Sequence, residues 1–480
     1  MIHYISHKSL EGFRKENFYY RKGGTTGEKK MSVIEREKVF DRSQVLKKLK
    51  IYQEEHQRLT VLFNITRNIS IELKLDNLLL IIMDEVRKAL KADRCTVFLL
   101  DREKNELWSK VAHGERDIRF PSNLGIAGYV ANTGDVLNIP DAYADPRFNQ
   151  EIDKKTGYFT QNILTFPMRN KLGEIIGVFQ VLNKFEGSFT KQDEQLLDTI
   201  SVIAATQIEN AQLYEEQRKT LDSFVRTLAS TIDARDPLTA GHSDRIALYS
   251  DELARVLNLS TKRRELIRYA ALLHDYGKIA IREAILCKSG SLTIDEYCHI
   301  QEHAAYTKSI LEKINFSRDF KNVPQIAASH HEKMDGSGYP DGLVGNQIPV
   351  ESRILAVADV FDALTSKRHY RDRMEFENVM DTFEKTAGSH LDRELVESFK
   401  KIKIDRLLEI LEVDYIQLLD QKDLRYLALF DLRHLLEVVR QGPLNSEEKN
   451  MVHLFYKYYY RSYLSETDEI IENRVGLANI

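Results

Sequence analysis

The spacing of hydrophobic positions changes several times along the chain, and each change marks an element. From Leu78 to Leu90 the apolar residues recur at helical spacing. Cys95 to Leu100 is a short β-prone run. Ile175 to Leu182, after the turn at Gly173, is a strong strand candidate. Helices at both ends of such a sheet predict an α+β domain over residues 59–215. From Leu197 to Ile232 there is no Pro or Gly. Leu197, Ile200, Ala204, Ala211, Tyr214, Leu221, Val225, Leu228 and Ile232 follow at helical intervals, interrupted by Gln207 and Arg218. The pattern predicts a connecting helix over 197–232 that pairs with its copy in a homodimer. Packing on its own domain is the alternative. Residues 233–400 read as nearly all helix with short loops. Residues 401–480 continue as helix, with Leu407-Leu408, Leu418-Leu419 and Leu435-Leu436, and the cluster Tyr456, Tyr458, Tyr459 and Tyr460 reads as packing. Residues 31–58, dense in Glu, Lys, Arg and Gln with spaced Val and Leu, predict an exposed N-terminal helix. Residues 1–30, polar with Gly23-Gly24-Thr25-Thr26-Gly27, predict a disordered tail.

Composition narrows the class. The 480 residues suffice for about two or three domains. Apolar content of 42% and charged content of 30% are those of a soluble globular chain. A net charge of -4 argues against a nucleic-acid polymer as partner. Cys95, Cys287 and Cys298 form no CxxC pair and predict a reducing compartment. The longest apolar run, Leu78 to Met83, is too short to span a bilayer, and no secretory h-region is visible. The expectation is a cytoplasmic protein without a membrane partner.

The chemistry concentrates between residues 242 and 359. His242, the pair His274-Asp275, His303, the pair His330-His331 and Asp359 are potential metal ligands. Adjacent His-Asp and His-His pairs, joined by ligands from distant segments, suit two ions held close together. Asp359 sits in the apolar run Ile354 to Phe361, where a carboxylate needs a partner. A single histidine of this kind is usually just hydrogen-bonded, but the ensemble points to a metal site. Mixed imidazole and carboxylate donors suit iron, manganese or zinc better than calcium or magnesium.

Residues 220–400 resemble the HD-GYP subgroup of the HD phosphohydrolase superfamily. The resemblance rests on Asp236-Pro237-Leu238-Thr239-Ala240-Gly241-His242-Ser243 and His274-Asp275-Tyr276-Gly277-Lys278. It continues through His330 to Pro340, with Gly338-Tyr339-Pro340, and Asp359-Val360-Phe361-Asp362-Ala363-Leu364-Thr365-Ser366. It implies an all-α domain that hydrolyses the bacterial messenger cyclic di-GMP to pGpG and in some members on to GMP. By resemblance, one metal takes His242, His274, Asp275 and Asp359. The second takes the bridging Asp275 with His303, His330 and His331, Fe or Mn being the expected ions. Lys278 and Asp275 carry the catalytic roles, Lys278 by stabilising the phosphorane or assisting the leaving oxygen. Tyr339, Gly338 and Asp335 of the GYP loop, with Arg368 and Arg371, fall at substrate-binding positions. Some members carry a Glu four residues before the first His, completing a third metal site. Leu238 stands there, so a third metal is not expected. The GYP loop is also where a GGDEF or other signalling partner would dock. The alternative is a non-catalytic cyclic di-GMP receptor that signals to a protein partner, and a further enzyme variant acts on cyclic GMP-AMP.

Residues 57–215 resemble a GAF domain of the kind found in cyclic-nucleotide phosphodiesterases and adenylyl cyclases. The matching stretches are Gly125 to Val130, Leu137 to Phe148, Asn162-Ile163-Leu164 and the dispersed NKFDE pattern Asn183-Lys184, Phe189 and Asp193-Glu194. The resemblance implies a cAMP or cGMP effector. Ile126 and Ala127 would meet its phosphate, and Asp153, Thr156, Thr160 and Gln180 would line base and lid. Lys184 and Asp193 would brace the pocket.

Overall fold

The computed structural model describes residues 42–109, 118–235, 241–288, 290–366, 373–443 and 445–460. The expected tail 1–30 lies outside the described residues, as does the chain up to residue 41. Two compact units divide between Tyr214 and Glu215.

The first unit is built on a six-stranded sheet of order β3-β2-β1-β6-β5-β4. Its strands are β1 (Ala92–Asp101), β2 (Glu106–Ser109), β3 (Ile118–Pro121), β4 (Leu137–Ile139), β5 (Ile163–Arg169) and β6 (Ile175–Lys184), and neighbours are antiparallel. Strand alternation sorts side chains between the two faces. Phe179 and Val181 of β6 pack with Val97 and Leu99 beneath α1 (Arg42–Ile69), α2 (Leu75–Ala89) and the start of α5 (Lys191–Arg235). Val178 and Leu182 turn the other way, toward the smaller cores that include Ile126, Ala127 and Val130 of α3 (Gly125–Thr133). Gln180 lies between them in the strand, paired across to Thr96 and Thr165. A short helix, α4 (Gln150–Thr156), follows β4.

Helix α5 is 45 residues long. Leu197, Ile200, Ala204 and Ala211 are buried in the core of the first unit and Val225 in that of the second, and Ile232 is buried as well. Most of the apolar stripe read as a dimer seam is therefore covered within the chain itself. Periodicity identifies an apolar face without saying what covers it. Large apolar residues left exposed on α5 are Val202, Leu213, Tyr214 and Phe224, of which only Tyr214 belongs to that stripe.

The second unit is helical. It contains α6 (His242–Val256), α7 (Thr261–Leu273), α8 (Ile294–Leu311), α9 (Val323–Ala328), α10 (Val350–Thr365), α11 (Phe376–Thr386) and α12 (Arg393–Phe399). Then come α13 (Ile404–Leu411), α14 (Gln421–Leu427), α15 (Leu432–Gln441) and α16 (Ser446–Tyr459). Leu407 and Leu408 of α13 and Phe455 and Tyr459 of α16 join one continuous core with Tyr249, Phe361 and Phe383. The junction is polar as well as apolar. The buried Arg373 guanidinium donates to Glu412 at 3.0 Å and to the Tyr459 carbonyl at 2.6 Å, and the Tyr459 hydroxyl donates to the Met374 carbonyl at 2.8 Å. Phe376 packs against Phe455 with ring centroids 4.7 Å apart. Among the described residues no helix is long and apolar enough to cross a membrane.

Candidate metal centre

Local chain breaks bring the donors together. Gly241, at φ 69°, takes the left-handed turn that lets α6 begin at His242. Helix α7 stops at Leu273, and a tight turn, Tyr276–Ala280, follows His274-Asp275. Successive helical residues diverge by about 100°, so ending the helix here is what lets the pair face one centre. His330 and His331 occupy a similar short turn, Ser329–His331, after α9. His303 projects from α8 and Asp359 from α10.

The ligand atoms form two groups. Those of Asp275, His303, His330 and His331 lie within 4.8 Å of one another, as do those of His242, His274 and Asp359. Asp275 joins the groups. Its Oδ1 lies 3.3 Å from His303 Nε2 and 3.9 Å from His330 Nε2, and its Oδ2 lies 3.4 Å from His274 Nε2 and 2.8 Å from Lys278 Nζ. Asp359 spans the opposite side, with Oδ1 3.4 Å from His242 Nε2 and Oδ2 4.0 Å from His331 Nδ1.

Backbone carbonyls aim the rings. Nδ1 of His274, His303 and His330 meets the carbonyl three residues earlier, of Ala271 at 2.7 Å, Ile300 at 2.7 Å and Ala327 at 2.6 Å. A carbonyl only accepts, so each Nδ1 carries the hydrogen and each Nε2 presents a lone pair inward. The Nε2 atoms of His303 and His330 are buried without a hydrogen-bond partner among the described residues. Orphaned acceptors of this kind are costly, and these two converge on an ionised carboxylate. The donor set and its orientation fit divalent cations.

The protonation states fit as well. Burial opposes charge on Asp275, yet Lys278 and His274 hold it well below the usual carboxylate range, and His242 does the same for the partly buried Asp359. Burial lowers His303 and His330 and takes His331 down to about 4. These are neutral imidazoles beside ionised carboxylates, the form ligation needs. His242 and His274 go the other way. Against burial, Asp359 and Asp362 push His242 up to about 10, and Asp275 raises His274. The carboxylates thus attract positive charge to the centre.

The supporting roles of several residues are not legible in the sequence. Asp362, buried one turn beyond Asp359, accepts from the Arg245 guanidinium at 2.6 and 3.0 Å and from the Ser366 hydroxyl at 2.9 Å, and meets His242 Nδ1 at 2.7 Å. The Thr307 hydroxyl accepts from the Gly277 amide at 2.8 Å and donates to the His274 carbonyl at 3.0 Å. Gly277 is obligatory there, since a Cβ would lie 1.9 Å from the His303 carbonyl oxygen. The buried Glu332 carboxylate accepts from the Asp341 and Leu343 amides at 2.7 and 2.9 Å and so shapes the GYP loop.

The Tyr339 ring sits 4.8 Å from that of His331 and 6.2 Å from that of His303. Gly338 packs against the backbone of His331 to Lys333. The exposed Asp335 turns its carboxylate to the Ser337 amide and hydroxyl, at 2.9 and 2.7 Å. Arg368, Arg371 and Leu238 lie outside the described residues. In the first unit, Asp153 is buried and accepts from the Thr160 amide at 2.7 Å, its hydroxyl at 2.9 Å and the Tyr143 hydroxyl at 3.2 Å. Thr156 is exposed and donates to the Ile152 carbonyl. Ile126 and Ala127 are buried in the first turn of α3. Lys184 pairs with Asp193, which also accepts from the Thr190 amide and hydroxyl.

The class follows from these two units. Residues 74–208 match the family model described as the GAF domain, and residues 226–395 the one described as the HD domain, so the chain carries both domains. Among curated proteins it is similar to the 3'3'-cGAMP-specific phosphodiesterase 3 of Vibrio cholerae, with 40% identity over 42% of this chain and 42% of that one. It is 44% identical to a cyclic di-GMP phosphodiesterase response regulator of Xanthomonas campestris, over 33% of this chain and 40% of that one. The matches thus span less than half of either relative. The crystal structure of the GAF domain from an Acinetobacter phosphoenolpyruvate-protein phosphotransferase aligns over 33% of this chain and 95% of that one, with 22% identity and a TM-score of 0.29.

Proposed function

We propose that this protein is a metal-dependent phosphodiesterase that hydrolyses cyclic di-GMP to pGpG, with GMP as a further product. The observation that carries the reading is Asp275, whose two oxygens face two separate donor groups while Lys278 approaches the same carboxylate. His242, His274, Asp275 and Asp359 would hold one ion, and Asp275, His303, His330 and His331 the other, with Fe or Mn favoured by the donor chemistry. When bound, such a pair activates water and offsets charge on the phosphate oxygens. The chain's own part is positional. Carbonyl-anchored imidazoles keep the donors aimed, Lys278 offers an ammonium to the developing charge, and Tyr339 closes the site beside His331. Arg368 and Arg371 would grip the second phosphate. The relatives that act on cyclic GMP-AMP make the hybrid messenger the second substrate to test. The protein would act in the cytoplasm, in keeping with three cysteines that form no CxxC pair.

A cyclic mononucleotide in the GAF domain would regulate this activity. The Lys184–Asp193 pair and the clasp of Asp153 on Thr160 support a braced pocket on the sheet face that carries Gln180. A homodimer would form through α1, whose exposed Leu49, Tyr52, Leu59 and Phe63 follow coiled-coil spacing. Sedimentation of Leu59→Glu against wild type tests that contact, and a wild-type monomer at micromolar concentration would exclude it.

The deciding experiment loads the protein anaerobically with Fe(II) or Mn(II) and offers cyclic di-GMP or cyclic GMP-AMP. Products are followed by chromatography, with Asp275→Ala as control. Linear product from the wild type alone supports the enzyme. Tight binding of intact ligand without product replaces it with a receptor.

A further inference from the structure

The last turn of α5 touches both donor groups' supporting segments. Arg235 ends this helix, half-buried. Its guanidinium forks onto backbone carbonyls, those of Ile279 and, at 2.8 Å, Ile281. These carbonyls lie at the far end of the turn Tyr276–Ala280, which starts beside Asp275 and carries Lys278. Two residues earlier on the helix, Asp233 accepts from the buried Ser243 hydroxyl at 3.0 Å, and Ser243 follows His242. One helix end thus holds the Asp275–Lys278 turn through Arg235 and the start of α6 through Asp233. A fork of charge-assisted bonds fixes geometry more tightly than a solvated helix end would.

We propose that Arg235 and Asp233 are positioning residues of the metal centre, and that α5 acts on the centre through them. The helix that leaves the GAF domain ends on the contacts that set the spacing between His242 and Asp275. Metal–ligand distances tolerate only about 0.2 Å, so a small shift of this last turn is enough to change how the two groups share an ion. The proposal rests on the metal-centre reading above and names the contact through which regulation would reach it.

The test uses the full chain, freed of metal and titrated with Mn(II) under electron paramagnetic resonance. Arg235→Gln is expected to weaken Mn(II) binding about ten-fold, the range for outer-sphere supports of a metal site. Arg235→Lys should recover part of the loss, and Asp233→Asn should weaken binding as well. Arg218→Gln removes an ion pair to Glu265 elsewhere on the same helix and should bind as wild type. If Arg235→Gln and Asp233→Asn bind Mn(II) within about two-fold of wild type, whatever their melting temperatures, the contacts serve only the fold and the proposal is overturned. Normal Mn(II) binding by a wild type that turns over no cyclic dinucleotide would end the phosphodiesterase reading while leaving the titration able to decide this one. A wild type that binds neither Mn(II) nor, under anaerobic titration, Fe(II) overturns both.

Discussion

Replacing Asp362 with Asn removes one charge from a place where three side chains depend on it. The carboxylate is buried beneath the Arg245 guanidinium, His242 and the Ser366 hydroxyl. Asparagine keeps the shape but takes the Asp362 charge away from Arg245, itself only 13% exposed. Breaking a buried pair from one side costs about 3–5 kcal/mol. The retained amide oxygen still accepts one bond, which favours the lower end, about 3 kcal/mol. For a unit of this size, each kcal/mol shifts the melting temperature by roughly 2–4 °C, so a fall of roughly 6–12 °C is expected for the second unit. A second effect separates from the first. Asp362 receives His242 Nδ1 and so directs its Nε2 toward Asp359, and losing that partner should weaken metal binding by about ten-fold. Calorimetry of the metal-free full chain reads the first effect and Mn(II) titration the second. A variant that melts within about 2 °C of wild type and binds Mn(II) equally would refute the account, because the network would then be neither supporting the core nor aiming His242.

Three further predictions follow from the packing. Gly338→Ala would place a Cβ 2.4 Å from the Lys333 nitrogen and 2.6 Å from the His331 carbonyl oxygen. Destabilisation of about 1–3 kcal/mol, with turnover lost more than stability because His331 must move, is expected from paired melting and activity assays. Phe455→Ala, deep in the core shared by α11 and α16, should cost about 3–5 kcal/mol and lower a single calorimetric transition of the second unit. A separate early transition would show that α13–α16 fold apart. In the GAF domain, burial opposes ionisation of Asp193, but Lys184 and the Thr190 amide and hydroxyl outweigh it and hold its pKa below the usual value. A depressed folded pKa contributes stability that is present above about pH 4 and lost as the pH falls through the folded value. The melting difference between wild type and Asp193→Asn should therefore be constant from pH 5 to 8 and shrink below about pH 4. A difference that stays constant down to pH 3 would mean the pair contributes nothing by charge.

The His and Asp residues that the structure gathers into two groups were legible in the sequence because adjacent His-Asp and His-His pairs are rare and Asp359 interrupts an apolar run. Their supports were not. Arg245 and Asp362 are 117 residues apart, and each alone reads as an ordinary helical charge. Gly338 and Asp335 stand in a recognisable loop, yet only coordinates reveal that one packs under His331 and the other caps the turn. In the sheet, β1 and β6 carry long β-prone runs, whereas β2, β3 and β4 are too short to leave a period. The stripe on α5 is legible as apolar, but the choice between a second copy and its own domain is not, because spacing records which residues avoid water and not which neighbour covers them.

The junction around Arg373 bears on how such a chain can be rearranged over evolution. The HD-domain match ends at residue 395, but Glu412 and the Tyr459 carbonyl satisfy the Arg373 guanidinium from beyond that boundary. A crossover that grafted residues 226–395 alone onto another sensor would take Glu412 and the Tyr459 carbonyl away from Arg373, and Phe455 and Tyr459 away from Phe376. The piece that keeps these contacts therefore extends to the end of α16.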